Sequence, residues 1–140
     1  MDLIIQKNCS GIDWTLIPEI LKMVGMGYHE PALHQKAFEN SAVVVFIFQE
    51  EKLLGFGRAI SDGAYQGAIY DVAVLPEFQQ KGIGHLIINT IVDSLPECNF
   101  ILYASPGKED FYRKLNFRKM KTGMALFMNA EAMIKKGMIE

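Results

Sequence analysis

Cysteine is scarce in this chain of 140 residues, which contains only Cys9 and Cys98. Because they lack the close spacing of metal ligands, two reduced thiols are expected rather than a disulfide or a metal site. Long apolar runs are absent as well, since the run from Ala42 to Phe48 is strand-length and too short to span a bilayer. The N-terminus has no charged-then-apolar signal pattern. We therefore expect a cytoplasmic protein with no membrane partner.

A strong charge of either sign is also missing. The formal net charge is −2 and 21% of the residues are charged, so no global basic field predicts a nucleic-acid partner. Half of the residues are apolar, which is typical of ordinary globular proteins. A chain of this length can bury one continuous core, and we expect residues 1–140 to form a single domain.

Hydrophobic periodicity and turn residues predict alternating helices and strands. Asp13 is expected to cap the first helix and Pro31 to open the second. The predicted strands are 2–6, 42–48, 53–60, 67–75, 100–104, 117–120 and 124–128. The predicted helices are 13–24, 31–38, 82–94 and 106–115, and residues 130–140 are either a docked helix or a loose tail. This order implies an α/β fold in which helices cover a mixed sheet.

A glycine motif, Gln79-Gln-Lys-Gly-Ile-Gly84, lies between a predicted strand and an amphipathic helix. Backbone N–H groups and the positive end of the helix dipole converge at such a point, which favours anion binding. Gly82 and Gly84 allow phosphate oxygens to approach the main chain closely, and Lys81 could add a charge-assisted contact. The residues of a Walker loop and the Gly-x-Gly-x-x-Gly of a dinucleotide site are both absent.

The segment instead resembles the coenzyme A-binding motif of the GNAT superfamily of N-acetyltransferases, to which Gln79, Gly82 and Gly84 correspond directly. Downstream, Phe111, Tyr112 and Phe117 match a second motif of that family. Ser105 and Asn116 depart from it, standing where the family usually has Asn and Gly. Asn tolerates the left-handed conformation that closes a helix, whereas the short side chain of Ser105 reaches less far than an amide. The resemblance covers roughly residues 2–128.

The resemblance implies a mostly antiparallel twisted sheet with a splayed central strand pair and helices on both faces. It also implies acetyl-CoA as cosubstrate, a homodimer, and main-chain contacts from the strand that precedes the glycine motif to the pantetheine arm. The coenzyme A-binding residues are then Val72, Ala73, Val74, Gln79, Gln80, Lys81, Gly82, Ile83, Gly84, His85 and Ser105.

Acetyl transfer to an amine requires a group that protonates the departing thiolate and a group that accepts the amine proton. The resemblance places Tyr112 as the general acid, and a phenol with a pKa of about 10 can donate to a thiolate with a pKa of about 8.5. Asp71 is the preferred general base, with Glu30, His29 and Tyr70 as alternatives. His34 is expected at the surface.

Three functions stay open at this point. The first is acetylation of a small amine, because residues 102–115 resemble arylalkylamine-type members and Trp14, Met26 and Tyr28 could line an apolar pocket; core packing is the competing interpretation, favoured for Trp14. The second is acetylation of a protein or peptide amine, for which an acidic rim would be needed. The third is a non-catalytic coenzyme A-binding module. The acidic rim would consist of Glu50, Glu51, Asp62 and Glu77.

Overall fold

The computed structural model describes residues 2–140, which fall into two compact units, one ending at Leu102 and one comprising Tyr103–Glu140. The first unit contains strands β1 (Ile4–Gln6), β2 (Val43–Gln49), β3 (Lys52–Ser61), β4 (Gln66–Val74) and β5 (Asn99–Ile101) and helices α1 (Leu16–Met23), α2 (Pro31–Glu39) and α3 (Ile83–Ser94). The second contains helices α4 (Glu109–Arg113) and α5 (Ala130–Lys135). The single domain over residues 1–140 stays a prediction.

The five strands form one sheet in the order β1-β2-β3-β4-β5. All neighbouring strands are antiparallel except β4 and β5, which are parallel, so the predicted mixed and mostly antiparallel sheet is confirmed. The central strands β2 and β3 are buried along most of their length. Strand β2 consists almost entirely of β-branched and aromatic residues, which favour strands.

Helices cover both faces of this sheet. On one face, Phe38 of α2 packs against the rings of Phe46 and Phe56, with centroids 5.5 and 5.9 Å away. On the other face, α3 packs against β2, β3 and β4, and Ile87 lies directly over Gly55 and Gly57. Because residues alternate between the faces of a strand, Phe56 faces α2, whereas its neighbours Gly55 and Gly57 face α3 on the other side of the sheet.

The start of the first helix differs from the prediction. Helix α1 begins at Leu16, with Thr15 at the N-cap position, and Asp13 instead accepts hydrogen bonds from the backbone N and the Oγ1 of Thr15 at 3.1 and 2.7 Å. Asp13 thus closes a turn before the helix. Pro18 lies in the first helical turn, where its missing N–H is tolerated.

The two C-terminal strands predicted at 117–120 and 124–128 are wrong. The described chain forms no strand after β5, and Met124, Leu126 and Met128 are each at least 95% exposed. Their alternation has the period of a strand, but a strand forms only when a neighbouring strand supplies the hydrogen-bonding ladder. Residues 130–135 do form a helix, α5, whose N-cap residue Asn129 accepts a hydrogen bond from Ala132 N.

No helix within residues 2–140 has both the length and the apolar character that spanning a membrane requires. Cys9 and Cys98 are free thiols.

Candidate active site

The parallel pair of strands, β4 and β5, separates after a short stretch of pairing. Strand β5 pairs with β4 only through Gln66, Gly67 and Ala68, while β4 continues to Val74. Within residues 2–140, therefore, no strand lies beside Val72–Val74 on the β5 side. This is the splayed pair expected from the resemblance, and it leaves one edge of β4 without a strand partner where Val72, Ala73 and Val74 were predicted to bind pantetheine.

A β-bulge lies at the start of this separated segment. Phe56 pairs with Ala73 and Arg58 with Tyr70, so Gly57 alone faces the two residues Asp71 and Val72. Asp71 adopts a left-handed conformation with φ 58°. A Cβ on Gly57 would lie 2.8 Å from Ile87 Cγ2 and 3.1 Å from Val72 Cγ2, so only glycine fits opposite the bulge.

The glycine motif forms a cradle at the N-terminus of α3. After β4, a 3₁₀ turn at Pro76–Phe78 leads into Gln80 and Gly82, both left-handed with φ 62° and 85°. The first hydrogen bond of α3 runs from Leu86 N to Gly82 O at 3.0 Å, and no side chain caps the helix. The amides of the first turn therefore have no acceptor within the helix, and their partial positive charge suits a phosphate group.

The side chain of Gln79 connects this cradle to the separated strand. Its Nε2 donates a hydrogen bond to Val74 O at 3.0 Å, which holds the end of β4 against the loop that precedes α3. The first unit thus brings Val72–Val74 and Gln79–Gly84 together. The coenzyme A contacts of these residues, and of His85 in the first turn of α3, stay predictions.

Positive charge lies beside the cradle. The Nζ atoms of Lys52 and Lys81 are 5.1 and 5.3 Å from the centroid of the Phe78 ring. Lys52 Nζ also lies 3.7 Å from Glu77 Oε1, and both side chains are exposed. Lys81 is exposed too and lies next to Gly82 in the sequence, so it is available to an anion at the helix N-terminus.

Tyr112 lies on α4 in the second unit, where its ring packs against Phe111 and Phe117 with centroids 4.9 and 5.8 Å away. Burial raises the pKa of its hydroxyl above the usual value of 10.0, so the protonated form persists throughout the neutral range. Asn116 has φ 71° and ends this helical segment as predicted, with Leu115 N and Phe117 N both donating to Tyr112 O. Ser105 is exposed, and its carbonyl accepts a hydrogen bond from Lys108 N.

The placement predicted for His34 is wrong, because its side chain is buried, with 3% exposed. Its Nε2 accepts a hydrogen bond from His29 N at 2.8 Å, and burial lowers its pKa below 6.5. The neutral ring therefore carries its proton on Nδ1. The spacing of four residues between His34 and the core residue Phe38 is the sequence signal for this position, since both lie on the same face of α2.

Sequence reasoning did not single out Arg58 and Ser41. Arg58 Nε donates to Asp71 Oδ2 at 2.7 Å, and Arg58 Nη1 donates to Ser41 Oγ at 3.3 Å. The signal that could have identified this pair is a lone arginine in a strand that is otherwise apolar, because a charge in such a place requires a partner.

The residues predicted to line the acceptor pocket differ in their exposure to solvent. Trp14 is half-buried and packs against Phe38 and Phe46 at 5.8 and 6.1 Å, so the core-packing interpretation applies to it. Tyr28, in contrast, is exposed in the loop between α1 and α2 and lies 5.9 Å from Lys22 Nζ. Met26 in the same loop is half-buried.

Two of the four acidic residues predicted to form a rim have local partners. Asp62 accepts hydrogen bonds from the backbone N–H groups of Ala64, Tyr65 and Gln66, which lower its pKa and close the turn between β3 and β4. Glu77 pairs with Lys52. These contacts account for both side chains without a ligand.

A family model described as an acetyltransferase (GNAT) domain matches residues 18–126 of this sequence. The chain belongs to the GNAT family. A protein of Pyropia yezoensis, described as uncharacterized N-acetyltransferase ycf52, is 30% identical over 127 residues, covering 86% of this chain and 66% of the relative. The serotonin N-acetyltransferase 2, chloroplastic, of Oryza sativa subsp. japonica is 29% identical over 120 residues, covering 81% of this chain and 60% of the relative.

Solved GNAT structures share the fold. The GNAT family acetyltransferase SP0256 from Streptococcus pneumoniae TIGR4 superposes with a TM-score of 0.76 at 21% identity, covering 90% of this chain and 98% of that one. The chain spans a little under two thirds of the length of the two curated relatives named above.

Proposed function

We propose that this GNAT-family chain transfers an acetyl group from acetyl-CoA to a primary amine of a small molecule, by direct attack of the amine in a ternary complex. The observation that carries the proposal is the separation of β4 from β5 directly before an uncapped helix N-terminus with a left-handed glycine. Acetyl-CoA, when bound, supplies the thioester whose acetyl group is transferred.

The residues of the first unit bind and orient the donor. Main-chain groups of Val72, Ala73 and Val74, on the edge of β4 without a strand, pair with the pantetheine arm and polarise the acetyl carbonyl. The amides at Gly82–Gly84 hold the diphosphate, to which Lys81 adds a charge. Gln79 acts on this site through its hydrogen bond to Val74 O, which fixes the end of β4 relative to the glycine motif.

Tyr112 donates the proton that the departing thiolate requires, and Ser105 contributes to coenzyme A binding. The burial that raises the pKa of Tyr112 keeps its hydroxyl protonated at neutral pH, as an acid must be before transfer. The proposal assigns no general base. Arg58 already donates to the Asp71 carboxylate, so the role of Asp71 as base stays a prediction from the sequence.

The acceptor is proposed to be an arylalkylamine or a similar small amine. Support comes from the rice relative, whose name states serotonin N-acetylation, and from the exposed Tyr28 in the loop between α1 and α2. A cytoplasmic location stays a prediction, and the name of the same relative places that protein in chloroplasts.

Release of free thiol from acetyl-CoA tests the function directly. Arylalkylamines, polyamines, aminoglycosides and peptides are tested as separate acceptors. We expect thiol release with arylalkylamines and none without an acceptor. Release with peptides alone would replace the small-molecule proposal by protein acetylation. Binding of coenzyme A by calorimetry without release for any amine would instead indicate a non-catalytic module.

A homodimer is also proposed, because Met124, Leu126 and Met128 would otherwise expose three apolar side chains to water. Light scattering after gel filtration should give twice the chain mass, and Leu126→Asp should shift the protein to monomer. Leu33→Asp, at an exposed leucine on α2, is the matched control and should stay dimeric. A monomeric mass for the unchanged protein at all concentrations would exclude the dimer.

A further inference from the structure

The bulge in β4 holds a residue in a conformation that it would not adopt by itself. Asp71 has φ 58°, a value that L residues rarely adopt in a strand, although Asp tolerates it better than most. If Asp71 adopted the extended conformation, β4 would lose its bulge opposite Gly57 and would pair with β3 in a register shifted by one residue. Because a strand has a period of two, a register shift of one residue would turn Val72, Ala73 and Val74 to the opposite faces.

Arg58 holds the Asp71 side chain from the neighbouring strand. Arg58 Nε donates to Asp71 Oδ2 at 2.7 Å, and the two side chains are only 17% and 22% exposed. Because this pair is mostly shielded from water, it is screened less than a surface ion pair.

The guanidinium of Arg58 is itself fixed. Its Nη1 donates to Ser41 Oγ at 3.3 Å, and Ser41 Oγ donates to Ala37 O in the last turn of α2 at 2.8 Å. The guanidinium carbon also lies 5.7 Å from the Phe38 ring centroid and 5.4 Å from the Tyr70 ring centroid. Apart from Asp71, one hydrogen bond and two rings hold the guanidinium, so its contact with Asp71 is preorganised.

The geometry points to Arg58 as a positioning residue that keeps Asp71 in the left-handed conformation and thereby maintains the bulge and the main-chain course of Val72–Val74. The consequence for coenzyme A binding rests on the proposed function, because that function assigns pantetheine binding to these three residues. Arg58 contacts no reacting atom in this role. It acts only through Asp71.

The Asp71→Gly substitution distinguishes this positioning role from that of an ion pair that only stabilises the fold. Glycine adopts positive φ readily, so Asp71→Gly should keep the bulge without help from Arg58. In the Asp71 background, Arg58→Gln should weaken coenzyme A binding about tenfold, whereas in the Asp71→Gly background the same change should alter the dissociation constant less than about twofold. Calorimetric titration with coenzyme A gives the four dissociation constants, and thermal unfolding shows that each variant is folded.

Amide hydrogen exchange without coenzyme A provides a second readout. Arg58→Gln should speed exchange at residues 71–74 more than elsewhere in β4, and it should not do so in the Asp71→Gly background. If Arg58→Gln does not fold, Arg58→Lys replaces it, since Lys retains a charge but cannot donate toward Asp71 and Ser41 in the same planar geometry.

The inference would be overturned if Arg58→Gln weakened coenzyme A binding and sped amide exchange at residues 71–74 equally in the Asp71 and Asp71→Gly backgrounds. Arg58 and Asp71 would then form an ordinary ion pair. A parent protein that binds no coenzyme A would remove the proposed function, and the exchange data would then decide whether Arg58 still maintains the bulge.

Discussion

Tyr112→Phe is expected to lower kcat for thiol release by about 100-fold or more, which is the usual contribution of a general acid. The dissociation constant for coenzyme A should change little, because the substitution removes only the hydroxyl. The phenyl ring keeps its packing against Phe111 and Phe117, so the local structure of α4 should persist. Steady-state kinetics with saturating acetyl-CoA and amine measures this effect.

The pH dependence sharpens this test. The active form of an acid is protonated, so activity that depends on Tyr112 is present below its pKa and is lost as the pH rises through it. Burial raises this pKa above 10.0, so the loss belongs above pH 10. A decline between pH 7 and 9 therefore has another origin and should be retained in the Phe variant.

Tyr65→Phe is the matched control, because Tyr65 is an exposed tyrosine in the turn between β3 and β4. It should leave kcat unchanged. An unchanged kcat in Tyr112→Phe as well would exclude Tyr112 as the acid.

Gly82→Val is expected to weaken coenzyme A binding by about tenfold to 100-fold. Gly82 has φ 85°, and a β-branched residue at this angle is strained, so the loop should relax to a different backbone path. The amides at the start of α3 would then no longer converge on one anion. The added side chain would also lie at the N-terminus of the helix, where the diphosphate is proposed to bind.

Gly63→Val provides the control for strain alone. Gly63 has φ 72°, and a Cβ there would meet nothing within 4 Å, as at Gly82. Both substitutions should lower the unfolding temperature, but only Gly82→Val should raise the dissociation constant for coenzyme A. Equal affinity in the parent and Gly82→Val proteins, measured by calorimetry, would place the diphosphate elsewhere.

Local signals in the sequence were sufficient to predict the order of strands and helices in the first unit. Pro31 opens α2 as predicted, and α3 begins at Ile83, one residue after the predicted start at Gly82. Proline and glycine restrict or permit backbone angles at their own positions, so their effects need no distant partner. The glycine motif, and with it the candidate anion site, was recognisable for the same reason.

The predictions that were wrong concern features that depend on partners elsewhere in the chain. Residues 117–128 have the alternation of strands but form none, because a strand also depends on a neighbouring chain segment to pair with. His34 was expected at the surface, yet it is buried on α2 and its Nε2 accepts a hydrogen bond from His29 N. Neither outcome is decided by the residue type alone.

The sequence by itself determined the order of elements up to β5 and the position of the candidate anion site, since both depend on local periodicity and on backbone geometry that neighbouring residues impose. Its motifs also determined the family of the chain. Tertiary structure alone decided the bulge at Asp71, the contact of Arg58 with it and the residue, Ala68, beyond which β4 and β5 separate. These features depend on the register between strands. Register arises from contacts between residues distant in the chain, which no local pattern specifies.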